Sequence, residues 1–178
     1  MTKKSKIIFI ICLALIGVSS RLLPHAWNFT PLAAIALFAG AYFNRKYALI
    51  LPLLIVFISD LFLGFYEWPL MLTVYLSYIL IGVSGVLLKN RVKVGNVIMM
   101  SLFSSLVFFL LTNWAVWQFS PWYTKSFNGL LECYVLALPF FRNSLLGDLF
   151  FTGAFFGAYE YAKIYLAKKD LIKAAVEI

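Results

Sequence analysis

Charge is what this sequence has least of. Only 12% of its 178 residues are Asp, Glu, Lys or Arg, against 63% that are hydrophobic. A water-soluble domain carries about 25% charged and about 45–50% apolar residues, so that class is excluded. There is one histidine, His25, and there are two cysteines, Cys12 and Cys133, far apart in apolar surroundings. So few ligands at such spacing build neither a metal centre nor a disulfide framework, and both cysteines are expected to be small buried hydrophobes. No G-x-S-x-G turn, paired His and Ser or phosphate-cradling glycine loop occurs. Neither a cofactor nor an enzymatic activity is therefore expected. An intramembrane carboxylate dyad of Asp60 and Asp148 finds no support in the residues that flank them.

What the chain does have is long apolar runs and aromatics. Eighteen Phe, ten Tyr and five Trp suit a lipid-facing surface with interfacial belts. A helix needs about 20 residues to cross the hydrocarbon core, and six runs qualify. They are Ile7–Leu23, Trp27–Phe43, Tyr47–Phe65, Pro69–Leu88, Val94–Trp117 and the run from Leu130 to Leu166. Pro139 is expected to divide the last, leaving Leu130–Leu138 at the interface and Pro139–Leu166 crossing. No A-x-A-like cleavage site follows the first run, which is read as an uncleaved span. The expected fold is an all-α integral membrane protein, a single compact bundle of six transmembrane helices over residues 1–178, with short basic tails at 1–6 and 168–178.

The net charge of +8 raises the question of nucleic acid, and the placement of the charges answers it. Lys3, Lys4 and Lys6 fall on one side of the expected spans, with Arg45 and Lys46, Lys89, Arg91 and Lys93, and Lys163, Lys168, Lys169 and Lys173. Only Arg21 and Lys125 fall on the other side, and Arg142 lies inside the last span. Twelve against two puts both termini in the cytoplasm and makes the number of spans even. The partner of these charges is the bilayer, not nucleic acid. The connection Gln118–Gly129, with Trp122, Tyr123 and Phe127, is expected to lie outside as a lid at the membrane interface.

Polar residues recur at one depth. Arg21, His25 and Asn28 stand at the outer end of the first two spans, Asp60 in the outer part of the third and Tyr75 in that of the fourth. Asn113 stands near the outer end of the fifth, and Arg142, Asn143 and Asp148 in the outer half of the sixth. An ionisable residue in a span costs roughly 2.5–3.5 kcal/mol on insertion scales, so such groups face a cavity or one another. A purely structural arrangement would pair Asp60 with Arg142, or Asp148 with Arg21. A cavity open to the outside explains why every helix contributes at the same level, and Asp60 and Arg142 are expected to interact across it. Small-xxx-small pairs, Ala36/Gly40, Gly153/Gly157 and Ala154/Ala158, let helices approach closely.

The segments "RLLPHAWNFTPLAAIALFAG", "SDLFLG", "TVYLSY" and "PFFRNSLLGDLF" resemble stretches of the substrate-binding S components of energy-coupling-factor vitamin transporters. The nearest likeness is to the small solitary BtuM-type cobalamin transporters. That resemblance implies a vitamin-uptake protein of the bacterial inner membrane, multi-pass, with cobalamin or a related corrinoid as solute and an energising coupling module as a candidate partner. It makes His25, Asp60, Tyr75 and Arg142 the ligand-binding positions. Some cobalamin members have a cysteine shortly before that tyrosine, where this chain has Leu70 and Met71; cobalt–thiolate chemistry is therefore not expected. The rival reading is a non-enzymatic assembly or scaffold protein of the cell envelope, whose polar cluster would be structural.

Overall fold

The computed structural model describes the backbone of residues 3–176 and the side chains of residues 7–165, 167 and 168. The side chains of Lys3, Lys4, Lys6, Lys169 and Lys173, on which part of the charge asymmetry rests, lie outside the described residues, as do positions 1–2 and 177–178. The chain is all-helical: α1 (Lys3–Leu22), α2 (Leu32–Tyr42), α3 (Arg45–Leu63), α4 (Trp68–Leu87), α5 (Val94–Phe119) and α6 (Phe127–Val176). Among the described residues, three of these helices, α3, α4 and α5, are long and apolar enough to cross a membrane. Leucines, isoleucines and phenylalanines stand exposed along every helix except α2, among them Phe62 at 73%, and Met99 of α5 is exposed at 69%. An apolar exterior of that extent suits lipid rather than water.

Local chemistry sets the helix ends. The Asn44 side chain accepts from the Tyr47 backbone N–H at 3.1 Å and caps α3, satisfying a donor that no helical carbonyl reaches. Gly64, at φ 93, ends the same helix with its N–H on the Asp60 carbonyl, a conformation glycine adopts without steric cost. Pro69 sits at the start of α4, where its missing N–H costs nothing.

The second expected span is helical over only part of its length. α2 begins only at Leu32 and has 11 residues, about 16 Å at 1.5 Å per residue, or half of a hydrocarbon core of about 30 Å. Prolines at 24 and 31 hold the preceding residues out of the helical region, and Asn28 adopts a positive φ of 62°. Residues 23–31 therefore run as irregular chain into the bundle. α2 itself touches all five other helices, and ten of its residues, Leu32 to Ala41, are buried. A sequence of "LAAIALFAGAY" with no polar face suits that position, since burial on all sides leaves no direction for a polar stripe.

Glycines make the close packing possible. A Cβ on Gly40 of α2 would stand 2.5 Å from the Gly85 carbonyl carbon of α4, and one on Gly85 would stand 2.6 Å from the Leu37 carbonyl oxygen. Gly82 abuts the Ala48 carbonyl of α3. That carbonyl has lost its helical partner to Pro52, which has no N–H, and the bare Gly82 Cα packs where the partner would be. The Ala36/Gly40 pair is thus internal packing, whereas Gly153, Ala154, Gly157 and Ala158 are exposed on α6.

Two further expectations are corrected. Pro139 lies inside α6, which runs unbroken through 50 residues, so there is no separate interfacial piece at Leu130–Leu138; interior prolines are tolerated in membrane helices where surroundings satisfy the freed carbonyl. The lid is absent as well. The Lys125 ammonium donates to the carbonyls of Trp117 and Ser120 at the end of α5, a favourable place for a cation. The Trp117 indole donates to the Thr124 carbonyl at 2.9 Å. The connection is a tight turn bound to its own helix ends.

Candidate functional site

The irregular stretch after α1 roofs a cavity. Non-helical backbone packed into an apolar bundle persists only where protein or a water-filled space satisfies it. Here Phe29 N–H donates to the Ala26 carbonyl at 3.0 Å and Thr30 N–H to the Asn28 carbonyl at 3.1 Å. Phe29 anchors the stretch on α6, where its ring meets Phe150 and Phe151 at 6.0 and 5.4 Å between centroids. Gly147 admits it: a Cβ there would stand 3.2 Å from the Phe29 Cα. Beneath lies a space of about 600 Å³, within the range of roughly 300–1,000 Å³ of small-molecule sites. α1 supplies Arg21, the irregular stretch His25, Trp27, Asn28 and Thr30, the α3–α4 connection Tyr66, α4 Tyr78, α5 Phe108, and α6 Ser144 and Asp148.

Arg21 is fixed by α3. One guanidinium nitrogen, Nη2, donates to Asp60 Oδ1 at 2.8 Å; the other, Nη1, donates to Ser59 Oγ at 2.7 Å and to the Val56 carbonyl at 3.2 Å. Asp60 is buried at 1% exposure, and Arg21 keeps 19% toward the cavity. The carboxylate thus lies behind the arginine. Its Oδ2 and the neighbouring Tyr75 hydroxyl both lack a hydrogen-bond partner within bonding geometry. The counter-ion of Asp60 is therefore Arg21 of α1, in place of the expected Arg142.

Asp148 meets the cavity from α6. It is 6% exposed, accepts from the Ser105 hydroxyl at 2.7 Å, and has no cationic partner among the described residues. In the α3–α4 connection, burial first and then the Asp60 charge push the Tyr66 phenol up to about 12, so it stays a neutral hydroxyl at the cavity edge. A smaller space of about 250 Å³ adjoins the first, sharing Asn28, Val74, Phe108 and Ser144 and adding Phe109, Asn113 and Phe141.

The expected site residues divide into three groups. Arg21, His25, Asn28 and Asp148 line the main cavity; the His25 ring Nδ1 lies 2.7 Å from the Leu23 carbonyl. Asp60 and Tyr75 stand one layer back, and Asn113 lines the smaller space with its amide on the Phe109 carbonyl. Arg142 is exposed and Asn143 half-buried, and neither lines either space. Arg142 and Asn143 precede Asp148 by six and five positions; the helix turns about 100° per residue, so these positions face elsewhere. Of the cysteines, Cys133 is buried beside the Asn113 carbonyl but Cys12 is exposed on α1, which corrects the expectation that both are buried.

Sequence reasoning missed Thr30, Tyr66, Tyr78, Phe108 and Ser144. Two carried a usable signal: Tyr78 is three residues after Tyr75 and Ser144 four before Asp148, spacings that share a helix face. Residues 1–170 match a family model described as a family of unknown function (DUF6580). No curated protein and no solved structure matches the chain.

Proposed function

The chain belongs to the DUF6580 family, and we propose that it is an S-component-like membrane uptake protein that binds a vitamin-sized solute from the outer side. The observation that carries this reading is the cavity of about 600 Å³ into which α1, α4, α5, α6 and the irregular stretch all send side chains. A packing device needs two partners; a solute site needs many groups at one level. In this reading the chain crosses the bacterial inner membrane six times with both termini cytoplasmic, α2 and the irregular stretch together making the second passage. The irregular stretch then forms the outward mouth, much as broken helices build binding sites in other transporters. At its size the cavity suits a drug-sized solute, so a corrinoid such as cobalamin would stand partly outside it. No cysteine lines the cavity, so a bound corrinoid would have no thiolate on cobalt.

The test is purification in mild detergent followed by mass spectrometry of any co-purified molecule, with thermal unfolding measured in its presence. A solute site gains stability as ligand rises above its Kd; no bound molecule and no stabilisation would sink the reading. Labelling single cysteines in the 120–126 turn tests the topology, and access from the cytoplasmic side alone would overturn it.

A second reading, a scaffold of the cell envelope or a docking partner for an energising module, is favoured by the exposed Gly153, Ala154, Gly157 and Ala158 on α6. Small residues on an outer face let another helix approach. Replacing Gly153 and Gly157 with leucine would abolish co-purification of a protein partner under this reading and leave solute retention intact under the first.

A further inference from the structure

We infer that the solute is an organic cation with a flat, apolar body, and that Asp148 receives its charge. This rests on the reading of the cavity as a solute site and adds the chemical class of the ligand. The argument starts from the charges that border the space. Arg21 spends three donor contacts on α3, and its charge is matched by Asp60 at 2.8 Å. His25 is engaged with the Leu23 carbonyl. Asp148 has a single hydrogen bond, from Ser105, and no cation among the described residues. The cavity therefore presents one carboxylate that the protein does not balance.

A carboxylate removed from water with no counter-charge is costly, and a ligand that brings the positive charge recovers that cost. The walls fit the same ligand. Trp27, Tyr66, Tyr78 and Phe108 border the space, and aromatic faces attract ammonium groups through their quadrupoles. The adjoining space of about 250 Å³, walled by Phe109, Phe140 and Phe141, takes an apolar body whose head lies at Asp148. An anion meets the reverse: an unbalanced carboxylate ahead and an arginine already occupied.

The test uses three compounds of one shape: tryptamine, tryptophol and indole-3-propionate, which end in an ammonium, a hydroxyl and a carboxylate. Binding to the purified full chain in detergent is measured at pH 8, where free carboxylates are ionised and primary amines are cationic. Tryptamine is expected to bind at least tenfold more tightly than tryptophol, and indole-3-propionate not at all. Asp148→Asn keeps an oxygen for Ser105, so it should fold and remove the tryptamine preference. Equal binding of the three, a preference for the acid, absence of all binding, or a tryptamine preference that survives in Asp148→Asn overturns the inference. The ranking in the wild-type protein decides the charge class even if the variant does not fold. A preference for the acid that vanishes in Arg21→Gln, or a neutral or anionic molecule found by mass spectrometry, would refute the cation while leaving the cavity a solute site. Absence of both binding and any co-purified molecule would end both.

Discussion

Phe38 and Phe108 both face the inside of the bundle, yet they occupy opposite kinds of interior. Phe38 is fully buried on α2, and six aromatic rings surround it, with Tyr42 at 4.8 Å and Phe9 and Phe156 at 5.3 Å between centroids. Phe108 is half-buried on α5, has one ring neighbour, Tyr78 at 5.3 Å, and borders both cavities. One end of the molecule is filled and the other is hollow, although both are built from similar apolar sequence. The filled end has glycines that let α2, α3 and α4 meet backbone to backbone. The hollow end has an irregular stretch held off the helices by prolines, with charged groups beneath it. A short central helix is what joins the two: because α2 has 11 residues, it fills only half the depth and leaves the rest open.

The largest effects should fall at the filled end. Phe38→Ala is expected to cost about 3–5 kcal/mol, the transfer term plus a void that close packing cannot collapse. Phe108→Ala should cost only about 1–1.5 kcal/mol, because its side chain is half-buried and already borders open space. Denaturation in detergent reads both, and equal losses would break the contrast.

The ion pair tests the boundary between the two ends. Arg21→Gln strands the Asp60 carboxylate, which is 1% exposed, and should cost about 3–5 kcal/mol. Asp60→Asn should cost less, about 1–3 kcal/mol, because the freed guanidinium can turn toward the cavity water. The double variant should regain most of the Arg21→Gln loss. Additive losses in that cycle would refute the pairing.

Ser105→Ala sharpens the picture at the cavity floor. It removes the one hydrogen bond to Asp148, with an expected loss of about 1 kcal/mol, and it should weaken solute binding through misplacement of the carboxylate. Unchanged stability and binding would mean that Asp148 is held by something other than Ser105. The smallest effect belongs to Arg142→Gln. That residue is exposed and reaches neither cavity, so stability should change by no more than about 0.5 kcal/mol and bound solute should be retained. A loss of bound solute in that variant would return Arg142 to the site.

Much of the helical order is legible in the order of residues alone. A run of apolar residues long enough for a membrane is helical because hydrocarbon leaves no other way to satisfy the backbone. A charge inside such a run cannot face lipid cheaply, and Arg21, Asp60 and Asp148 do point inward, whereas Arg142, in the last run, is exposed. Less legible is the second run. Its composition reads as a span throughout, yet Pro24, Pro31 and the positive φ of Asn28 leave only Leu32–Tyr42 helical. The signal is present in the prolines, and the apolar count outweighs it. Pro139 misleads the other way: a proline inside an apolar helix need not break it.

By itself, then, the sequence determined the apolar exterior and the helical class, because hydropathy and local backbone preference act along the chain. Which acid meets which base was decided only by the tertiary structure. Arg21 and Asp60 are 39 positions apart, and their 2.8 Å contact depends on how α1 is rotated against α3. α1 meets α3 closely at Gly17, where a Cβ would stand 2.8 Å from the Ile55 side chain, and the spacing of α2, α3 and α4 follows from the backbone contacts at Gly40, Gly82 and Gly85. The cavity has the same origin, since it is the volume left where α2 stops short and the neighbouring segments do not close over it.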